Sequence, residues 1–356
     1  MSNVRAFNNF KVHTQYSVCE GAIKIEDLTN YCKYNKVLNI GICDSYNMCG
    51  ALEFAEKISK SGTQPIIGTQ INFSIDGVIG KLPLFSTSSL GYKNLIKFSS
   101  KSYLEIDERS DPHCEINELK NINQDLILLT GNHHGLFGKL FKLNKLKQIE
   151  ESIKELKNIF KDRLYFEIQR HNEVDEKNFE NFIIELSTKY QIPLIATQEI
   201  FYLTKDMYEA HDALICIGEK NFISETNRVK YNDQHYFKNN EELVELFKDI
   251  PEALENNYNF PFRFNFKPKK SAPVLPTIET KKNVTVEQEL LFQAQEGLKN
   301  RLDNFILKKK KNKGSKEIFQ IYEDRLIHEI NIINSMNYSG YFLIVSDYIR
   351  SVSYTH

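Results

Sequence analysis

The sequence predicts an α/β protein built on a sheet of seven strands, and three observations carry that expectation. Short runs dominated by Val, Ile, Leu and Phe alternate with amphipathic stretches from the N-terminus to about residue 205. The runs are about four to nine residues long and mostly lack polar alternation, as expected of strands covered on both faces. Side chains able to bind metals recur just past several of them. Strands interleaved with helices imply a parallel sheet, either open and doubly wound or closed into a barrel.

In chain order the strand-like runs are 10–13, 38–43, 65–73, 82–85, 126–130, 164–168 and 193–197. Between them, 25–34, 51–58, 92–99, 149–160 and 179–190 carry helical patterning. In the last, Phe179, Phe182, Ile183 and Leu186 fall at i, i+3, i+4 and i+7, one apolar stripe of a helix. The pattern changes after about residue 206. A helix is expected at 210–217 and another near 241–247, followed by an aromatic segment containing Phe260, Phe262, Phe264 and Phe266. The stretch 267–276 holds three prolines and three lysines without periodicity, the signature of a linker. Helices are expected at 286–305 and 317–336, with an apolar stretch at 341–349. The expected division is therefore one domain at 1–275 and the start of another at 276–356.

Composition narrows the class. With 41% hydrophobic and 26% charged residues, the 356-residue chain has ordinary globular content, which excludes wholesale disorder and collagen-like repeats. No run approaches the roughly 20 apolar residues of a membrane helix, and the first residues lack the apolar core of a secretory signal. A cytoplasmic protein without a membrane partner is expected. Forty-six basic against 47 acidic residues argue against nucleic-acid binding over the whole surface and leave room for a local patch. The six cysteines show no two-residue pairing, so free thiols are expected.

Where a parallel barrel keeps its chemistry, at the C-terminal strand ends, the sequence offers His13, Asp44, Gln70, Asn132 with His133 and His134, Gln169 with His171, and Gln198 with Glu199. The segment from Lys11 to Ser17 with Glu20-Gly21 resembles the first motif of the PHP (polymerase and histidinol phosphatase) superfamily. Cys43-Asp44-Ser45 through Ala51, Pro65 through Gly68, Tyr165 through Gln169, Pro193 through Thr197 and Glu209 through Leu214 narrow the match. They look like the N-terminal PHP domain of the bacterial replicative DNA polymerase III alpha family. Tyr322 through Leu326, Ile333 through Met336 and Gly340 through Val345 are similar to the start of that family's palm domain. The likeness runs in collinear order over nearly the whole chain.

The resemblance implies a distorted seven-stranded (β/α) PHP barrel followed by the mainly helical beginning of a polymerase palm. It implies a template-directed DNA polymerase using Mg2+, with DNA, a proofreading exonuclease subunit, the sliding clamp and other replicase subunits as partners. The family's glycine-rich segment and catalytic aspartates fall beyond the position matching His356, so no polymerase catalytic residue is expected here and no synthesis by these residues alone.

Active PHP sites bind Zn, Mn or Fe through His and carboxylates, and this chain departs from their pattern. The first histidine of the His-x-His pair is Lys11 and the second is His13. Asp44 is kept, the following histidine is Ser45, and the glutamate after Gly68 is Gln70. His171 matches a family histidine, while the late Asp-x-His pair is Glu199 and Phe201. An ammonium has no lone pair for a metal, so Lys11 is expected to replace a cation, sitting among Asp44, Glu199 and a bound phosphate. A degenerate centre is expected, with metals absent or partial and at most His13, Asp44, His171 and Glu199 as ligands. The rivals are a free-standing metal-dependent phosphoesterase and a retained 3'-5' exonuclease.

Four other features have competing readings. His133 and His134 are either an exposed pair, which is favoured, or metal ligands. His211-Asp212 is expected to cap and pack a helix. Lys308, Lys309, Lys310, Lys311 and Lys313 either contact nucleic-acid phosphates or form a solvated loop. The aromatic run 260–266 is expected to close the barrel core rather than stack on bases.

Overall fold

The computed structural model describes residues 6–107, 110–274, 276–280, 284–306 and 315–355. These form two compact units, Met1–Lys270 and Ser271–His356. In the first unit the strands are β1 (Lys11–Val12), β2 (Asn39–Ser45), β3 (Gln64–Ile75), β4 (Val78–Ser86), β5 (Cys114–Glu115), β6 (Leu126–Leu129), β7 (Leu164–Ile168), β8 (Leu194–Ala196) and β9 (Glu199–Ile200). They pair in the order β8-β7-β6-β4-β3-β2-β1-β9, with β5 on β3. The two edges, β8 and β9, are consecutive in the chain with only Thr197 and Gln198 between them, so the sheet curls until its ends meet.

All seven expected strands are present, joined by the short β5 and β9. The sheet is not parallel throughout: β4 runs antiparallel to both β3 and β6. The reason is local. Asp76 and Gly77 join β3 to β4 with φ of 47° and 78°, a two-residue turn with positive φ at both positions that folds the strand straight back.

Helices α1 (Ile25–Asn35), α2 (Ala51–Lys60), α3 (Ser89–Leu104), α4 (Leu136–Lys142), α5 (Leu146–Phe160) and α6 (Glu176–Tyr190) cover the outside of the sheet, followed by α7 (Tyr208–Glu219), α8 (Asn240–Leu246) and α9 (Pro251–Asn259). Helices α4 and α9 were not expected, being short and weakly periodic.

Strand alternation separates two cores. In β7, Leu164, Phe166 and Ile168 pack outward against helices, whereas Tyr165 faces the interior with Phe10, Cys43, Ile66, Phe85, Ile127, Leu129 and Ile195. Phe260 and Phe264 plug this interior layer, with Phe260 4.5 Å from Phe10 and 5.7 Å from Phe85 and Tyr165 between ring centroids. That places two rings of the aromatic run in the barrel core as expected; Phe262 points to solvent. Two residues beyond the plugged layer the interior turns polar.

The second unit consists, among its described residues, of helices α10 (Val286–Arg301), α11 (Ser315–Ser335) and α12 (Ser339–Thr355), with a wide turn at Leu302–Ile306. Leu290, Ile330 and Leu343 form its buried centre. The lysines expected to touch nucleic acid, Lys308 to Lys311 and Lys313, lie outside the described residues.

Gly41 and Gly297 make opposite tests of the packing. A Cβ at Gly41 would stand 2.5 Å from the Phe10 carbonyl oxygen, and one at Gly297 would meet nothing within 4 Å. Gly41→Ala should lower stability to denaturant by about 1–3 kcal/mol. Gly297→Ala, inside α10, should raise it by about 0.5–1 kcal/mol.

Candidate functional site

The residues expected at the site converge on the barrel mouth, but one of them departs from its expected pairing. Following the interior face of β7 from Tyr165, the next inward positions are Glu167 and Gln169; Thr197 and Glu199 follow Ile195 in the same way. Lys11 enters from β1. Its Nζ lies 3.1 Å from Glu167 Oε1 and 3.7 Å from Glu199 Oε1, with the side chain fully enclosed. Burial opposes the ammonium charge, but the two carboxyl groups outweigh it and hold its pKa above the ordinary value.

Glu199 is engaged on both oxygens. Oε1 meets His13 Nε2 at 3.0 Å and accepts from Gln70 Nε2, while Oε2 accepts from Asn132 Nδ2 at 2.8 Å. Burial favours the neutral acid, yet Lys11 and His13 hold its pKa well below the ordinary range. Gln70 also sits 3.0 Å from His13 Nε2. Glu167 Oε1 accepts from Gln169 Nε2 at 2.7 Å and from the Thr197 hydroxyl. The other oxygen of Glu167 is buried without a hydrogen bond.

Asp44 is the exception. It was expected beside Lys11 and instead accepts the Thr14 backbone N–H at 2.6 Å, the Thr14 hydroxyl at 2.8 Å and the Ser17 hydroxyl at 2.7 Å. It therefore fixes the turn after β1, and burial pushes its pKa up despite those bonds. The carboxylate that pairs with Lys11 in its place, Glu167, comes from the middle of β7, where the sequence shows only a polar residue in an apolar run.

Ser45 accepts a hydrogen bond from Lys81 Nζ at 3.0 Å, and Lys81 also pairs with Glu20. Phe201 packs its ring among others: it lies 4.6 Å from His13, 4.7 Å from Tyr231 and 5.2 Å from His235. His171 stacks on His235 at 4.0 Å, and its backbone N–H donates to the Glu176 carboxylate. Burial, with His235 adding to it, lowers the His171 pKa from 6.5 to about 4.

The second histidine pair differs from expectation. His133 is buried and only His134 is half exposed; both imidazoles contact Glu173. His211 does not cap its helix: its Nε2 contacts the Glu20 carbonyl at 2.8 Å, and Asp212 takes two bonds from Arg228, so the pair packs α7 in place. Glu173 and His235 were not anticipated, because neither lies on a motif or strand end. All six cysteines are free.

Two family models match the chain: the PHP domain over residues 9–171 and the bacterial DNA polymerase III alpha NTPase domain over 288–355. DNA polymerase III subunit alpha of Rickettsia bellii is 35% identical over 97% of this chain and 29% of its own length. That of Caulobacter vibrioides is 33% identical over 97% and 30%. The chain is a homologue of the N-terminal region of DNA polymerase III alpha subunits. It spans about three tenths of the length of those relatives. A solved two-domain protein from Bacteroides vulgatus, containing a predicted PHP-like metal-dependent phosphoesterase, aligns with a TM-score of 0.33 at 8% identity over 67% of this chain and 62% of its own. Among the described residues of this alpha-subunit homologue, no helix is long and apolar enough to cross a membrane.

Two measurements test the electrostatics of the mouth. Lys11→Ala should cost about 3–5 kcal/mol in urea unfolding, since it strands buried carboxyl groups. Adding Glu167→Gln should return a substantial part, giving a large coupling energy in the double-mutant cycle. His171 titrates lower folded than unfolded, so below its ordinary pKa the unfolded chain binds the extra proton. Stability should then fall as pH drops from 6.5 toward 4, on the order of 3 kcal/mol from this residue, and His171→Phe should flatten that slope in thermal melts.

Proposed function

We propose that residues 1–275 form a non-hydrolytic PHP scaffold of a replicative DNA polymerase and that 276–356 begin its palm. The observation that supports a silent centre is the ion-paired Lys11. Its ammonium occupies the polar interior where a cation would have to sit, and it uses the carboxyl groups of Glu167 and Glu199 that a metal would need. Gln70 donates toward Glu199 rather than presenting a charge, Ser45 serves Lys81, and Phe201 offers no donor. A cation placed at this point would face like charge at a few ångströms in a buried setting. The donor set does not fit a two- or three-metal PHP centre, so no hydrolytic step is assigned to it. His13, Asp44, His171 and Glu199 then act as members of a hydrogen-bonded network that steadies the barrel.

The parent activity follows the homology. The full-length relatives carry the name of a DNA-synthesising subunit, and this chain's contribution is to support that enzyme in the cytoplasm, docking a proofreading exonuclease subunit. The catalytic aspartates and Mg2+ of synthesis belong to the remainder of such a polymerase. An enzyme with a separate proofreading partner has no need of hydrolysis in its own PHP domain.

The chain should release no product from p-nitrophenyl phosphate or from a 3'-labelled single strand when Mn2+, Zn2+ or Mg2+ is supplied, and it should retain a proofreading subunit in a pull-down. Metal-dependent hydrolysis that disappears in Glu199→Gln would refute the silent centre, and a clean failure to retain the subunit would refute the docking role.

A further inference from the structure

Outside the Lys11 centre, three ligand-type side chains meet at one point. His133 and His134 follow β6, and Glu173 lies between β7 and α6. Among the described residues these supply the group of three donor atoms that lie within 4.8 Å of one another. His133 Nε2 is 3.0 Å from Glu173 Oε2, and His134 Nε2 contacts the same oxygen. His133 is buried, and its Nε2 approaches the carboxylate off the hydrogen-bond axis, leaving that nitrogen without a hydrogen bond. Donors about 2.0–2.1 Å from a tetrahedral ion stand about 3.3 Å apart, close to the 3.0 Å between His133 Nε2 and Glu173 Oε2.

The surroundings hold these donors in place. Asn132 Oδ1 accepts from the backbone N–H groups of His134 at 2.9 Å and Gly135 at 3.1 Å, which fixes the loop. Gly138 of α4 packs so closely on His133 that a Cβ would stand 2.2 Å from the His133 carbonyl carbon. His235 Nε2 lies 3.2 Å from the other carboxylate oxygen, Glu173 Oε1, and its Nδ1 lies 3.2 Å from the Glu199 carbonyl. A group of that kind orients a ligating carboxylate and fixes which oxygen faces the ion. His134 is half exposed and borders a cavity of about 480 Å3, which gives an ion a way in and leaves coordination positions open to water.

We propose that His133, His134 and Glu173 bind one divalent transition-metal ion of the zinc class, tying the loop after β6 to the segment after β7. Two imidazoles and one carboxylate form a donor set suited to such ions, and the ammonium of Lys11 takes no part in it. None of the three residues occupies a position that the PHP resemblance assigns to a ligand. The site is independent of the proposed scaffold role: the Lys11 centre is read by hydrolysis, and this one by occupancy.

The test is a Zn2+ titration of the full chain, stripped with chelator and followed by calorimetry, with thermal melts in parallel. The parent chain should take up one ion and melt at a higher temperature with zinc. His134→Ala, which removes a half-exposed side chain and leaves the fold intact by circular dichroism, and the near-isosteric Glu173→Gln should each weaken binding at least tenfold and abolish the zinc-dependent rise. His13→Gln should leave both unchanged. Equal zinc affinity in the parent, His134→Ala and Glu173→Gln would overturn the assignment. So would absence of uptake, or loss of the ion in His13→Gln with retention in His134→Ala.

Discussion

A lysine ammonium sealed inside the barrel dictates how the polar end of the fold is built. A charge removed from water is tolerated only with opposite charge in contact. Lys11 meets that condition through Glu167, with Glu199 close by. Each carboxyl group then needs its own companions: Gln169 and Thr197 for the first, His13, Gln70 and Asn132 for the second. One buried cation thus recruits side chains from β3, β7 and β9 and from the segments following β1, β6, β7 and β8, and every one of them must keep its register.

That register rests on the apolar layer beneath. Phe260 and Phe264 fill the interior under the ion pair and exclude water from that side. Because strand side chains alternate, the residues two positions beyond Tyr165 and Ile195 are forced to point the same way, toward Lys11. The closure of β8 and β9 within one short segment makes the arrangement possible, since it brings Thr197 and Glu199 to the same wall as Lys11. Asp44 is drawn into a different task, holding the turn after β1 by three hydrogen bonds.

Much of this was legible from the sequence. The strand runs and the main helices were readable because burial on both faces leaves an unbroken apolar string and an amphipathic helix leaves a 3.6-residue stripe. The reversal at β4 contradicts the expected parallel sheet, and its signal lay unread in Asp76-Gly77, a two-residue turn between apolar runs. Clustering of His13, Gln70 and Glu199 followed from their places at strand ends. Glu167 was harder to assign, because a polar residue inside an apolar strand does not name its partner. Glu173 and His235 carried no local signal at all.

The amino-acid sequence by itself therefore determined the α/β class, the positions of most elements, the homology to polymerase alpha subunits and the residue types available at the mouth. These depend on short-range periodicity and on ordered motifs, which a linear string preserves. Only the tertiary structure decided that Lys11 pairs with Glu167 rather than Asp44, that His133 is buried, and that Glu173 gathers three imidazoles. Those contacts join residues far apart in the chain. Which of them meet is set by strand order, sheet closure and the direction of each side chain, and local sequence does not specify them.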